Sequence, residues 1–216
     1  MNRATTVTDS VALQGLAPLY GLVLAGGASR RMRTDKAALE YRGRPQLERA
    51  YELLARYCEK TFVSVRRDQG TDPLRAQFPQ IVDAYDDLGP MAGIASAQAQ
   101  HPASAWLVLA CDLPFVTPAA LERLIGSRST ATPAIAFRST HDGLPEPLCA
   151  IYEPATRAAV AESIASGRSC PRKLLIRLAV PLLDPVWHAA LDNVNTPDEY
   201  AAATAALTGA STAASS

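Results

Sequence analysis

The chain has 216 residues, of which 48% are hydrophobic and 19% charged, which is enough for one domain with a full core. Its 21 Lys and Arg are balanced by 21 Asp and Glu, which argues against a broad basic surface for nucleic acid but not against a local cluster for a small anion. No apolar run approaches the length of about 18 residues that spans a bilayer, and the polar, interrupted N-terminus lacks the apolar centre of a signal peptide, so we expect a cytoplasmic protein.

In the first half of the chain, predicted strands alternate with predicted helices. The apolar run 20–25 ends at Gly26-Gly27 and predicts a buried strand that enters a glycine turn. The continuous apolar run 105–111 predicts a central strand buried on both faces. The other predicted elements are a helix at 47–57, strands at 61–65 and 81–82, a helix at 91–100 opened by Gly89-Pro90, and a helix from Pro118 to Ile125 capped by Thr117.

The second half repeats this alternation less regularly. Strands are predicted at 134–137, 148–152 and 180–183, and helices at 154–166 and 171–178. Thr196, Pro197 and Glu199 form the signature of a capping box, which predicts a final helix to about Leu207. The alternation predicts an α/β fold, a Rossmann-like three-layer sandwich with a mainly parallel mixed sheet. We expect a single domain at 19–207 between flexible segments at 1–18 and 208–216.

The cysteines give no indication of a zinc site. Cys58, Cys111, Cys149 and Cys170 are far apart and form no CxxC pair, whereas zinc ligands usually come in close pairs. Each lies in or beside an apolar stretch, so we expect buried, reduced thiols.

The glycine turn after the first strand predicts an anion site. Adjacent glycines let backbone N–H groups approach phosphate oxygens, and the turn lies at the carboxyl edge of the sheet, where open α/β sheets bind ligands. Four basic side chains follow within a few residues: Arg30, Arg31, Arg33 and Lys36. The spacing fits neither a P-loop nor a dinucleotide fingerprint. The alternative is an ordinary strand-to-helix turn followed by a solvated basic loop.

Two aspartates follow predicted strands, and Asp112 should face the same crevice as the glycine turn. Asp112 comes directly after the most apolar strand, where a carboxylate can hold the Mg²⁺ that phosphoryl transfer requires. The alternative role for Asp112 is to cap the following turn. Asp83 follows the short strand at 81–82, and Asp86 and Asp87 lie nearby.

Five segments in order give the chain a specific resemblance. They are Leu24 to Lys36, Gly89 to Ile94, Ala110 to Phe115, Glu146 to Tyr152, and Asn193 to Pro197. Together they resemble the GT-A-like nucleotidyltransferases that activate small molecules with an NTP, in particular the molybdenum cofactor guanylyltransferases, over about residues 20–205. The chain departs from that family at Arg33, where the family usually has Gly. Arg is strained there if the position needs a positive φ; the alternative is that the loop takes another path and Arg33 adds a phosphate donor.

The resemblance implies a GT-A-like fold and transfer of GMP from GTP to molybdenum-bound molybdopterin, with Mg²⁺ as cofactor. It implies catalytic roles for Lys36 and for Asp112, the metal ligand. The implied nucleotide-binding residues are Leu24, Ala25, Gly26, Gly27, Arg31, Lys36, Asp83, Gly89, Pro90 and Asp112. Gly27 and the loop from Gly89 favour GTP over CTP, by comparison with the cytidylyltransferases that act on the same pterin.

The expected pterin site comprises Asn193, Asn195 and Arg168. Amides suit a pterin ring because they both donate and accept hydrogen bonds. The alternatives are that Asn195 only helps to start the last helix and that Arg168 is only a basic helix end. The implied partners are GTP, molybdopterin and, transiently, other molybdenum cofactor biosynthesis proteins and recipient molybdoenzymes, without nucleic acid or membrane. A related enzyme with CTP or another phosphorylated acceptor, and a non-catalytic nucleotide-binding module, remain alternatives.

Overall fold

A seven-stranded sheet organises the part of the chain that the structure, a computed structural model, describes, namely residues 15–26, 35–185 and 188–212. The strands are β1 Leu19–Leu24, β2 Glu40–Tyr41, β3 Arg44–Pro45, β4 Lys60–Val65, β5 Gln80–Val82, β6 Ala105–Ala110, β7 Ala134–Arg138, β8 Pro145–Tyr152 and β9 Leu182–Leu183. The sheet order is β5-β4-β1-β6-β8-β7-β9, and β2 pairs with β3 in a separate hairpin. Within the sheet as described, β8 alone runs antiparallel to its neighbours.

Helices cover both faces of this sheet and give three layers. They are α1 Gln46–Ala55, α2 Pro90–Gln100, α3 Pro118–Gly126, α4 Arg157–Ala165, α5 Pro171–Arg177 and α6 Pro197–Thr212. Alternate residues of β1 point to opposite faces, so Val23 joins the core under α1 and α3, whereas Leu22 joins the core under α2, α4 and α5. This confirms the predicted α/β three-layer fold with a mainly parallel mixed sheet.

A short hairpin at residues 40–45 is absent from the sequence prediction. Its turn places Arg42 and Gly43 at φ 55° and 71°, a left-handed conformation that Gly adopts freely and Arg rarely. The two-residue strands carry too few positions for a periodic signal. The hairpin matters because it packs against α6, where Tyr41 contacts Tyr200 edge to face.

The end of the final helix and the cap of α3 also differ from prediction. α6 begins with the predicted capping box, in which Glu199 N donates to Thr196 Oγ1, but the helix ends at Thr212 rather than near Leu207. Thr117 does precede α3, yet its side chain makes no capping hydrogen bond and its hydroxyl is buried without a partner. Flexible segments were predicted at 1–18 and 208–216; residues 1–14 and 213–216 lie outside the described residues, and 208–212 are the end of α6.

The cysteines have unequal surroundings. Cys111 and Cys149 are buried as expected, and burial raises the pKa of Cys58 to about 12. The expectation of burial is wrong for Cys170, which is exposed at the start of α5. Among the described residues, no helix is both long and apolar enough to cross a membrane.

Candidate active site

A cavity of about 610 Å³ opens across the carboxyl ends of β5, β4, β1 and β6. Parallel strands bring their carboxyl ends to one edge of a sheet, so residues distant in sequence meet there. The volume lies within the range of about 300–1,000 Å³ typical of small-molecule sites. The predicted site residues that line it are Leu24, Ala25, Gly26, Lys36, Asp83, Gly89, Pro90 and Asp112.

Lys36 joins three elements on the β6 side of the cavity. Its Nζ donates to Asp112 Oδ2 at 3.2 Å and to Asn195 Oδ1 at 2.6 Å. Asp35 fixes the short 3₁₀ turn that carries Lys36, because its Oδ1 accepts from Ala37 N at 3.1 Å. The Lys36 side chain is 22% exposed, so its charge is held at the cavity wall, where an anion can reach it.

Asp112 has one carboxylate oxygen in use and one without a partner. Oδ2 accepts from Lys36, whereas Oδ1 is buried and has no hydrogen-bond partner. Val194 N donates to the Asp112 carbonyl at 2.9 Å, which brings Asn195 beside the end of β6. An unpartnered carboxylate oxygen next to an amide oxygen is the hard donor set that Mg²⁺ prefers.

The described residues do not form a metal centre made of protein ligands alone. Among the residues described, no group of three or more His, Cys, Asp or Glu side chains is placed to hold a metal ion. A divalent ion at Asp112 would therefore complete its coordination with oxygens from a ligand or from water, as Mg²⁺ at phosphate sites commonly does. The residues present fit such an ion.

Asp83 is a buried carboxylate on the β5 side of the cavity. Its side chain is 7% exposed, and its Oδ1 accepts from Ser64 Oγ at 2.7 Å. Burial raises its pKa, although the Ser64 hydrogen bond and the nearby Arg66 oppose the shift. The carboxylate is thus under-solvated and available to donors from a ligand.

The turn between Asp83 and α2 requires glycine at its last position. Gly89 has φ 54° and ψ −138°, a conformation open essentially to Gly only, and Pro90 follows as the first residue of α2. One helical turn later, a Cβ at Gly93 would overlap Ser64 Oγ and approach Leu24. Gly93 therefore lets α2 lie close against the ends of β1 and β4, whereas Gly89 allows the turn that starts the helix.

Several predicted residues lie elsewhere or are not described. Gly27 and Arg31 lie outside the described residues, as do Arg30 and Arg33. Arg168 does not line the cavity, and its guanidinium instead pairs with Glu162 at 3.0 Å on the surface. Asn193 is exposed and also does not line the cavity, whereas Asn195 reaches the site through Lys36.

Arg66 is a site residue that the sequence reasoning missed. It lines the cavity, and its Nη1 donates to the Gly26 carbonyl at 3.1 Å. The available signal was its position directly after β4, beside β1, at the same edge of the sheet. Tyr85 was also missed; it lines the cavity and is 42% exposed, but the loop that carries it has no periodic pattern.

Comparison with known proteins identifies one family. Residues 21–182 match the model of the MobA-like NTP transferase domain. A molybdenum cofactor guanylyltransferase of Pseudomonas aeruginosa is 31% identical over 188 residues, which cover 85% of this chain and 93% of that protein.

Two further proteins show a related sequence and a related fold. A molybdenum cofactor biosynthesis bifunctional protein of Synechocystis sp. is 37% identical over 183 residues, and the chain spans about half of its length, 53%. The crystal structure of the molybdopterin-guanine dinucleotide biosynthesis protein A of Archaeoglobus fulgidus superposes with a TM-score of 0.74 at 24% identity, over 88% of this chain and 99% of that one. At this identity, the superposition shows the shared fold.

Proposed function

Because the chain belongs to the MobA-like NTP transferase family and is a nucleotidyltransferase, we propose that it transfers GMP from GTP to molybdenum-bound molybdopterin. The products are molybdopterin guanine dinucleotide and pyrophosphate. The names of the relatives in Synechocystis sp. and P. aeruginosa support the acceptor. The observation that carries the proposal is that one cavity holds both the Lys36–Asp112 pair and the buried Asp83 carboxylate.

The spacing of these groups suits a nucleotide that lies across the strands. Asp112 follows β6 and Asp83 follows β5, with β1 and β4 between them. Three strand spacings of about 4.8 Å put the ends of β5 and β6 about 14 Å apart, a distance that a nucleoside triphosphate can span. The base then lies near Asp83, and the phosphates lie near Lys36.

Asp83 favours guanine over cytosine by its hydrogen-bonding chemistry. The Watson–Crick edge of guanine presents two adjacent donors, N1–H and the N2 amino group, which a carboxylate can accept together. Cytosine presents only the N4 amino group as a donor on that edge. With Oδ1 already accepting from Ser64, the ligand donors would complete the hydrogen bonding of a buried charge.

Catalysis by this chain then consists of positioning and charge stabilisation. A terminal phosphate oxygen of the acceptor attacks the α-phosphorus of GTP, a new P–O bond forms, and the bond from the α-phosphorus to the bridging oxygen breaks to release pyrophosphate. The nucleophile is an ionised phosphate, so no general base is needed. Lys36 lies where it can stabilise charge on the phosphates, with its turn held by Asp35.

Asp112, with Asn195 beside it, would hold Mg²⁺ in this reaction. When bound, the ion offsets charge on the phosphates and orients them. The Lys36 ammonium pairs with Asp112 in the structure, and a cation held by Asp112 would leave this ammonium available for the phosphates.

Replacing Asp83 by asparagine should weaken GTP binding without harming the fold. Hydrogen bonds to a charged group contribute about 1.5–3 kcal/mol, so the loss corresponds to about a 10- to 100-fold rise in Kd by calorimetry. The unliganded variant should melt at the same or a higher temperature, because burial raises the pKa of Asp83 and its ionised form costs folding free energy.

The pH dependence of the Asp83 variant supplies a second check. In the wild type, the pKa of Asp83 is higher in the folded than in the unfolded protein, so its contribution to folding stability falls as pH rises between these two values. The affinity for GTP should fall in the opposite direction, at low pH, because Asp83 is then protonated. Asp83→Asn should lack both of these pH dependences, because asparagine does not titrate. An Asp184→Asn control on the exposed surface should bind GTP normally. Unchanged affinity in Asp83→Asn would refute the assignment of the base site.

Nucleotide choice tests the proposed function directly. Pyrophosphate release should be measured with Mg²⁺, molybdenum-bound molybdopterin and each of GTP, CTP, ATP and UTP in turn. We expect release with GTP and little with the other three. Release with CTP in preference to GTP would make the protein a cytidylyltransferase, and GTP binding without release in any mixture would favour a nucleotide-binding module.

A further inference from the structure

Arg75 is a buried arginine that does not line the active-site cavity. Its side chain is 1% exposed, and it lies in a short 3₁₀ turn, Arg75–Gln77, between β4 and β5. The guanidinium binds the Ala25 carbonyl through Nη2 at 2.7 Å and Nε at 3.3 Å. It also binds Asp35 in a bidentate pair at 2.6 and 2.9 Å, and Asp72 at 3.1 Å.

These contacts join the two borders of the glycine- and arginine-rich segment. Ala25 is the last residue before Gly26, and Asp35 directly precedes Lys36. One planar guanidinium therefore fixes the end of β1 and the start of the turn that carries the catalytic lysine. We call the hydrogen bonds of Arg75 to Ala25 and Asp35 the Arg75 clamp. Asp35 Oδ1 accepts both from Arg75 Nη2 and from Ala37 N, so the clamp and the 3₁₀ turn share an acceptor.

The charge of Arg75 is neutralised within the protein by Asp35 and Asp72. Burial alone would lower its pKa, but the hydrogen bonds and charges of Asp35 and Asp72 outweigh burial and raise it, so Arg75 is always a cation. With its donors engaged and its side chain buried, Arg75 has no free face for a phosphate. Any effect on the reaction must pass through the residues that it holds.

We propose that Arg75 is a positioning residue for nucleotidyl transfer, and that it acts by holding Asp35 and Ala25 so that the Lys36 ammonium faces the phosphates. This inference rests on the proposed function, because Lys36 is assigned to the phosphates there. Arginine is suited to the task because its rigid fork fixes a carboxylate and a carbonyl together, which a lysine at the same place cannot do.

The chain offers a matched control for this clamp. Arg128 is also buried, at 5% exposed, and binds Glu153 in a bidentate pair at 2.7 and 3.1 Å. Its Nη2 donates to the Ala17 carbonyl at 2.8 Å, just before β1. Arg128 therefore makes the same kinds of bonds at the opposite end of β1, far from the cavity.

The test compares Arg75→Met, Arg128→Met, Lys36→Met and the double variant Arg75→Met/Lys36→Met. Melting temperature, GTP affinity by calorimetry and kcat for pyrophosphate release are measured for each. Both arginine variants should melt at lower temperature, because each leaves a carboxylate without its partner. Of these two arginine variants, only Arg75→Met should also lose turnover, by about 10- to 100-fold, the scale expected when a reacting group shifts by about 1 Å.

The double variant separates positioning from a general structural effect. If Arg75 acts through Lys36, its removal should cost no further GTP affinity or turnover once Lys36 is absent. Losses that multiply in the double variant, or an Arg75→Met enzyme as active as Arg128→Met, would overturn the inference. If Arg75→Met does not fold, Asp35→Asn replaces it, because asparagine keeps the shape of the side chain but loses the charge and one acceptor for Arg75. Asp35→Asn should then lower turnover when Lys36 is present and cost no further turnover when Lys36 is absent.

Failure of the proposed function would be visible separately. A wild-type protein that binds GTP but does not transfer GMP to molybdopterin would refute the acceptor or the reaction. The GTP-affinity arm would still report on Arg75, because binding of the triphosphate does not need the acceptor.

Discussion

Replacing Lys36 by methionine should lower kcat about 100- to 1,000-fold, the cost typical of removing one donor that stabilises charge in a transition state. Methionine keeps much of the length and apolar stem of lysine but has no charge and no N–H donor. Because Lys36 has only Asp112 and Asn195 as polar partners in the described contacts, the substitution leaves the rest of the cavity intact. The effect on kcat should exceed the effect on KM for GTP, since the charge on the phosphates grows during the reaction.

A matched lysine controls for charge and hydrophobicity. Lys60 lies at the start of β4, at the edge of the sheet opposite the cavity, where its ammonium lies over the Tyr20 ring. Lys60→Met should retain wild-type turnover. Near-normal turnover of Lys36→Met in the same assay would remove Lys36 from the catalytic machinery.

Replacing Asp112 by asparagine should abolish the dependence on Mg²⁺ and lower turnover by a similar factor, about 100- to 1,000-fold. The amide preserves the shape of the side chain and can still accept from Lys36 Nζ. It no longer supplies the charged oxygen that lies buried without a partner in the structure.

GTP binding distinguishes this role of Asp112 from a purely structural one. Without Mg²⁺, Asp112→Asn should bind GTP as well as the wild type or better, because a negative charge next to the phosphates has been removed. With Mg²⁺, the wild type should gain affinity and the variant should not. An exposed control, Asp184→Asn, should behave like the wild type. An equal gain from Mg²⁺ in Asp112→Asn would show that the ion is held elsewhere.

The sequence predicted the part of the site that depends on single strand ends. Gly26 and Asp112 each follow a strong apolar run, and the edge rule for parallel sheets places them together without knowledge of any contact. Asp83 follows a predicted strand of only two residues, and its place in the crevice came from the resemblance. The helix start at Gly89-Pro90 was predicted for a similar local reason, since Pro suits the first position of a helix, whereas the place of these two residues in the nucleotide site came from the resemblance.

The contacts that hold this site together could not be predicted in the same way. Lys36 meets Asn195 across 159 positions, and Arg75 meets Ala25 across 50, and neither pair leaves a periodic or local signal. Arg168 was assigned to the acceptor site from its charge and its position after Gly167, with a basic helix end as the alternative, and in the structure its guanidinium pairs with Glu162 on the surface. Long-range pairing of polar side chains depends on the final packing of helices and loops, which single-residue patterns do not encode.

The hairpin at 40–45 shows the same limit in the fold. Its strands have two residues each, so the alternation of apolar and polar positions that identifies a strand has no room to develop. The hairpin packs against α6 through Tyr41, Tyr200 and Ala203. The capping box of α6 was readable from sequence, whereas the surface on which α6 packs was not.

The most direct test of guanylyl transfer is identification of the product. The full-length protein should be incubated with GTP, Mg²⁺ and molybdenum-bound molybdopterin, and the mixture examined by mass spectrometry for the dinucleotide. We expect molybdopterin guanine dinucleotide, formed in equal amount with pyrophosphate and formed about 100- to 1,000-fold more slowly when Lys36→Met replaces the wild type. A wild-type mixture that yields no guanine dinucleotide, or that yields the cytosine dinucleotide when CTP competes with GTP at equal concentration, would contradict the proposed function.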